Sequence, residues 1–271
     1  MNFFDGIILG IVQGLTEFFP VSSSGHLILA RDILGIHTEN SLAFDAVLQL
    51  ATSFAILFCF KKEFFKLCGD FLSFFKKNNS EDNANINTQN YSWFVPIILG
   101  TLPIVILGLV FENIIGTVLR NDNVVVLALL AGSLLFILAE WFAKQDKELN
   151  AKKGFWVGVF QTLALIPGIS RSGATISGGL LFGMKREEAT RFSFMLGFPI
   201  LFGSGILKLF ELGLNGTSSR EWLVILISSL MAFIAGALSI NFLVKFLKTH
   251  TLHIFAIYRI LLAIIVFIIL S

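Results

Sequence analysis

Gln13-Gly-Leu-Thr-Glu-Phe-Phe-Pro-Val-Ser-Ser-Ser-Gly-His26 is a polar, turn-rich run set between the apolar stretches 3–12 and 25–36. A second such run, Pro167-Gly-Ile-Ser-Arg-Ser-Gly-Ala-Thr175, lies between the apolar stretches 154–166 and 173–184. Apolar stretches of about 10–14 residues are too short to cross a bilayer and have the length of re-entrant segments. Each run therefore reads as the tip of a helix hairpin dipping into a membrane. The two hairpins also align with each other. Gly10 falls on Gly158, Gln13 on Gln161, Leu15 on Leu163, Ser22 on Ser170, Ser24 on Ser172, Gly25 on Gly173 and Ile28 on Ile176. That is seven identities in the twenty positions 10–29 without a gap, and matched Gln, Ser and Gly are poorly explained by apolar composition.

Working outward, six further segments have the length of membrane spans: 42–60, 92–111, 123–142, 192–210, 222–244 and 253–270. The composition agrees. The 271 residues are 55% hydrophobic and only 14% charged, with a mean hydropathy of +0.83, and a soluble fold of this size has no way to hide that much apolar surface. The expected fold is an all-α polytopic membrane protein of six transmembrane helices and two re-entrant hairpins. It forms a single integral membrane domain over 1–271, with repeat one over about 1–115, repeat two over about 150–245 and a closing helix over 253–270. The N-terminus lacks the basic region and cleavage site of a signal peptide, so insertion is expected to use internal segments. Cys59 and Cys68 have no metal-binding or disulfide spacing and are expected to be packing thiols.

Lysine and arginine set the orientation. Loops 61–91, 143–153, 185–191 and 245–252, which fall on one side, hold fourteen; Arg31, Arg120, Lys208 and Arg220 on the other side make four. The four basic loops are expected in the cytoplasm, and both termini outside. The hairpins then enter from opposite sides as inverted repeats, an arrangement that puts a polar site near the bilayer midplane. The net charge of +2 gives no argument for nucleic acid as a partner.

The two tips carry the chemistry. A midplane ionisable residue costs at least about 2.5–3.5 kcal/mol, so Glu17, His26 and Arg171 are functional hypotheses by default. Arg171 is suited to bidentate phosphate binding, against the plain reading that it pairs with Glu17 to hold the repeats together. Glu17 is a base, a ligand to a divalent ion bridging diphosphate oxygens, or a structural carboxylate bonded to serines. His26 is a packed histidine, a general acid/base or a nucleophile, and one of Ser22, Ser23 and Ser24 is the serine candidate for nucleophile. Ser22, Ser24, Ser170, Ser172 and Thr175 are phosphate donors or helix caps, and Gly25 and Gly173 let backbone amides approach an anion at each following helix. Asp45 and Gln49 either reach the site or bond between helices, and His37, His250 and His253 are expected near the membrane edges. Walker-type loops, zinc-spaced His/Cys clusters and a nucleophile-elbow Gly-x-Ser-x-Gly are absent from the sequence.

At Gly14–His26, at Pro167-Gly-Ile-Ser-Arg-Ser-Gly-Ala-Thr-Ile-Ser-Gly-Gly179 and at Phe255-Ala-Ile-Tyr-Arg259 the chain resembles the undecaprenyl-diphosphate phosphatase family of the bacitracin-resistance type. The resemblance covers essentially the whole chain. It implies a bacterial plasma-membrane hydrolase that converts undecaprenyl diphosphate to the monophosphate, recycling the carrier for peptidoglycan synthesis and conferring bacitracin resistance. It also implies support by a divalent metal ion, Mg²⁺ or Ca²⁺, a site open to the outer face, and important residues at Glu17, Ser23, His26, Ser170, Arg171 and Thr175. Many members carry a second glutamate four residues before Glu17; here Gln13 stands there and offers a neutral oxygen ligand. The expected partners are the polyprenyl diphosphate and the bilayer, with a homodimer as the one assembly entertained. A lipid flippase or transporter with a midplane anion site is the rival reading. The nucleophile beside the arginine discriminates, since transport needs none.

Overall fold

The computed structural model describes residues 1–36, 41–77, 93–111, 114, 122–214 and 217–270. His37 and Arg120 lie outside the described residues. The chain runs through α1 (Phe3–Phe18), α2 (Ser23–Leu34), α3 (Ser41–Cys59), α4 (Lys61–Lys77), α5 (Phe94–Val110), α6 (Asp122–Phe142), α7 (Ala151–Thr162), a 3₁₀ turn (Leu163–Leu165), α8 (Arg171–Leu181), α9 (Arg186–Leu214), α10 (Ser219–Phe246) and α11 (His253–Leu270). The fold is an all-helical polytopic membrane protein. Helices over Ser41–Cys59, Asn123–Phe142, Arg186–Leu214 and Ser219–Phe246 are long and apolar enough to cross a bilayer, and α5 and α11 are shorter apolar helices. Their outward faces carry Leu127, Leu226, Leu230, Leu261 and Phe267, all exposed. In water such a surface would aggregate; in lipid it is solvated.

Helices in lipid gain little from burying apolar side chains against each other, so close backbone packing of small residues must do the work. Gly6, Gly10 and Gly14 make one such stripe on α1. A Cβ on Gly10 would lie 2.3 Å from the Ser228 carbonyl oxygen, and one on Gly14 would lie 2.5 Å from that of Ala232. The contacts advance in the same direction along both chains, so α1 and α10 run parallel. The pair α7 and α5 repeats the device: a Cβ on Gly158 would meet Gly100 O at 2.2 Å, and Gly154 sits against Pro96. Between these two pairs α3 and α9 cross antiparallel, with Leu50 beside Gly205, Phe54 against Phe202 and Phe60 against Phe194.

Three expectations change. The polar run 13–26 is not all tip, because α1 continues to Phe18. Gln13 and Glu17 therefore stand one turn apart on one helix face. The segment 61–91 is not wholly a loop: its first part forms α4, whose Phe64 and Leu67 pack on the core while Lys61, Lys62, Phe65 and Leu72 stay outside. A search for continuous apolar spans passes over such an amphipathic helix, since its average is polar. Cys68, expected to be packed, is exposed on the outer side of α4, whereas Cys59 is half-buried and donates to Ala237 O at 3.7 Å.

Candidate active site

Each tip ends on a serine in a backbone conformation that non-glycine residues rarely adopt. Ser22 has φ 75° and ψ 95°, and Ser170 has φ 76° and ψ 115°. Such a residue costs of order 1–3 kcal/mol and persists only where its surroundings hold it. Here each serine caps the helix that follows: Ser22 Oγ accepts from the Gly25 amide at 3.4 Å, and Ser170 Oγ from the Gly173 amide at 3.3 Å. Each also lies 3.3 Å from the hydroxyl two residues on, Ser24 or Ser172. The remaining first-turn amides of α2 and α8 have no acceptor within their helices, as at any helix start.

Both helices begin with a residue directed at Glu17. The Ser23 hydroxyl donates to Glu17 Oε2 at 2.9 Å. Arg171, at the corresponding first position of α8, donates to Glu17 Oε1 from Nη2 at 3.0 Å and from Nε at 3.4 Å. Gln13 completes the set from α1, with Nε2 donating to Glu17 Oε2 at 3.0 Å. The pair is nearly dry, with side-chain exposures of 9% for Arg171 and 4% for Glu17. Arg171 is thus the ion-pair partner of Glu17. Arg171 reaches further, donating from Nη1 to Ser193 O at 3.2 Å. Thr175 donates to Arg171 O at 2.8 Å and meets the Ser193 hydroxyl at 2.5 Å.

Neither Ser193 nor Gly197 stood out in the sequence. Gly197 makes the room: a Cβ there would lie 1.7 Å from Arg171 Nη1. Nothing local in a long apolar helix marks these positions, since their role depends on α9 lying across the start of α8. Arg259 had a readable signal, an ionisable residue inside an apolar span. It is fully buried and donates to Ile169 O and Gly168 O at 2.8 Å each, Ala128 O at 3.1 Å, Leu129 O at 3.2 Å and Pro20 O at 3.5 Å, with the Phe136 ring 4.9 Å away. It therefore ties both tips to α6. Gly168 at φ +106° presents its carbonyl from a conformation suited only to glycine.

The other candidates bond elsewhere. His26 makes no bond to this network and instead meets Ser22 O and the Tyr258 hydroxyl. Asp45 pairs with Arg31, between α2 and α3. His250 stacks on Phe246 and His253 begins α11, both exposed. Among the described residues no three His, Cys, Asp or Glu side chains come together as a metal cluster. Gln13 Oε1 is nevertheless a buried carbonyl oxygen with no partner, next to the Glu17 carboxylate. Two adjacent oxygens of this kind fit part of the shell of a hard divalent cation, whose other ligands would come from a phosphate.

Fold and site together define a polytopic membrane protein with a buried polar centre where two helix pairs meet. Residues 6–265 match the family described as bacitracin resistance protein BacA. The undecaprenyl-diphosphatase of Syntrophobacter fumaroxidans is 38% identical over 272 residues, covering 97% of this chain and 95% of that protein. The undecaprenyl-diphosphatases of Chlorobium phaeobacteroides and Rubrobacter xylanophilus are 40% and 37% identical, each over 97% of this chain and over 95% and 96% of theirs. The chain belongs to the bacitracin resistance protein BacA family.

Proposed function

We infer that this chain hydrolyses undecaprenyl diphosphate to undecaprenyl phosphate and inorganic phosphate. The observation that carries the reading is the convergence of Ser23 and Arg171 on one buried carboxylate, Glu17, at the meeting of the two tips. A nucleophile and a guanidinium are thereby each within hydrogen-bond reach of one base.

The Arg171–Glu17 ion pair keeps the buried site neutral. An incoming diphosphate competes for Arg171, whose fork matches phosphate oxygens, and the free amides at the starts of α2 and α8 add donors. Released from Arg171, Glu17 becomes the base for Ser23. Ser23 Oγ attacks the terminal phosphorus, its proton passes to Glu17, and the bridging P–O bond breaks with undecaprenyl phosphate leaving. That leaving group is a weak base, with a pKa of about 6 by analogy with phosphoserine, so it needs little acid assistance. Water then attacks the phosphoserine, giving its proton to His26, while Ser23 recovers the proton from Glu17. His26 lies three residues beyond Ser23, on the same side of α2.

A divalent ion, when bound, would be held by Glu17 and Gln13 Oε1 and would neutralise charge on the diphosphate. The paired tips and antiparallel α3 and α9 support two inverted repeats within one membrane domain. The lysine and arginine distribution supports a plasma-membrane orientation with basic loops in the cytoplasm and both termini and the site mouth outside. The flippase reading is not favoured, because it leaves the Ser23–Glu17 bond without a use.

Phosphate release from undecaprenyl diphosphate tests the assignment, using purified protein in detergent with Mg²⁺ or Ca²⁺ and then with chelator. Release by the wild type that is lost in Ser23→Ala and Arg171→Ala is expected. Release undiminished in Arg171→Ala would remove the central claim.

A further inference from the structure

Nδ1 of His26 lies 2.8 Å from Ser22 O. A carbonyl only accepts, so Nδ1 carries the ring proton, and Nε2 of the neutral imidazole is left as the acceptor. The Tyr258 hydroxyl, 2.7 Å from Nε2, is therefore the donor. The two rings lie nearly parallel, 11° apart, with centroids 5.7 Å from each other.

Tyr258 is an unusual occupant of its place. The helix reads His-Ile-Phe-Ala-Ile-Tyr-Arg-Ile-Leu-Leu-Ala-Ile-Ile-Val-Phe-Ile-Ile-Leu, and after His253 only Tyr258 and Arg259 are polar. Arg259 turns inward to the tip carbonyls, whereas Tyr258 stays 44% exposed beside the exposed Ile257 and Leu261. A lipid-facing turn calls for an aliphatic side chain, and a phenol placed there needs a partner for its hydroxyl. That partner is the one ring nitrogen of His26 able to take a proton. Arg259, fixed by carbonyls of both tips, holds the backbone that presents Tyr258.

We propose that Tyr258 is a positioning residue for His26: its hydroxyl fixes the Nδ1–H tautomer and ring orientation and covers the Nε2 lone pair until the diphosphate arrives. In the hydrolytic step the phenol hydrogen bond is exchanged for one to the attacking water, and the proton of that water goes to Nε2. Tyr258 neither gains nor loses a proton. This role rests on the phosphatase reading, in which His26 serves the second step.

Full-length Tyr258→Phe separates the two ideas. The substitution keeps the stacked ring and removes only the hydroxyl from a half-exposed side chain. Diethyl pyrocarbonate modifies an unprotonated imidazole nitrogen, and its attachment to His26 is followed by mass spectrometry of the peptide that carries it. Modification of His26 several-fold faster than in the wild type is expected. Phosphate release is expected to show a kcat lower by about tenfold with KM little changed, as for loss of part of an acid–base contribution. An unchanged modification rate, or faster modification with an unchanged kcat, overturns the role of Tyr258. Wild-type protein that releases no phosphate overturns the phosphatase reading instead, and the modification rates still decide whether Tyr258 covers Nε2.

Discussion

Glu17 is the residue on which the site turns, because four hydrogen bonds from three side chains end on its two oxygens. Glu17→Gln keeps the shape and removes the charge. Ser23 then has no base and Arg171 no counterion, so phosphate release should fall by at least about 100-fold while the protein still inserts. Gly197→Ala tests the same centre from outside it. The added Cβ needs the space that Arg171 Nη1 occupies, so the guanidinium must shift by an ångström or more. Displacement on that scale costs about 100-fold in turnover. The check is phosphate release at a melting temperature close to that of the wild type. Glu17, Ser23, His26 and Arg171 were legible in the sequence because ionisable and hydroxyl residues stand out in apolar surroundings. Their connections were not: Ser23 could face Glu17 or His26 until α1 was known to continue to Phe18. Ser193 and Gly197 gain meaning only from the way α9 crosses α8.

At the scale of elements, the two helix pairs trade partners. α1 packs along α10, and α7 along α5, each through a stripe of glycines. Gly10→Ala should separate α1 from α10, since its methyl would lie 2.3 Å from Ser228 O and 3.0 Å from Met231 Cβ. Overpacking of this kind costs about 1–3 kcal/mol, which a lowered melting temperature in detergent would register. The aligned tips told of two hairpins because their turn residues are local in cause. Membrane-length segments were readable for the same reason. α4 was not, because its helix rests on Phe64 and Leu67 packing against the core rather than on an apolar run. The carboxylate is not duplicated: the position of Glu17 in the second hairpin is held by Leu165. Repeated scaffolding therefore surrounds chemistry that is single.

For the whole molecule, the charge distribution and α4 make one claim together. α4 begins directly after α3 and holds Lys61, Lys62 and Lys66 on the side expected to face the cytoplasm. The exposed Cys68 reports on that side. A membrane-impermeant maleimide should leave Cys68 unlabelled in intact cells and label it in inverted membrane vesicles; the opposite pattern would reverse the orientation.

Arg259 joins Pro20 of the first tip to Gly168 and Ile169 of the second, yet it follows both in the chain. Polypeptides emerge from the ribosome starting at the N-terminus, so the two tips enter the membrane before the clamp that unites them exists. Until α11 has been made, no hydrogen bonds from Arg259 hold Pro20 to the second tip. A ribosome that stalls before α11 thus leaves behind an unclamped fragment, and birth order itself makes the joining of the two tips by Arg259 a late event of assembly.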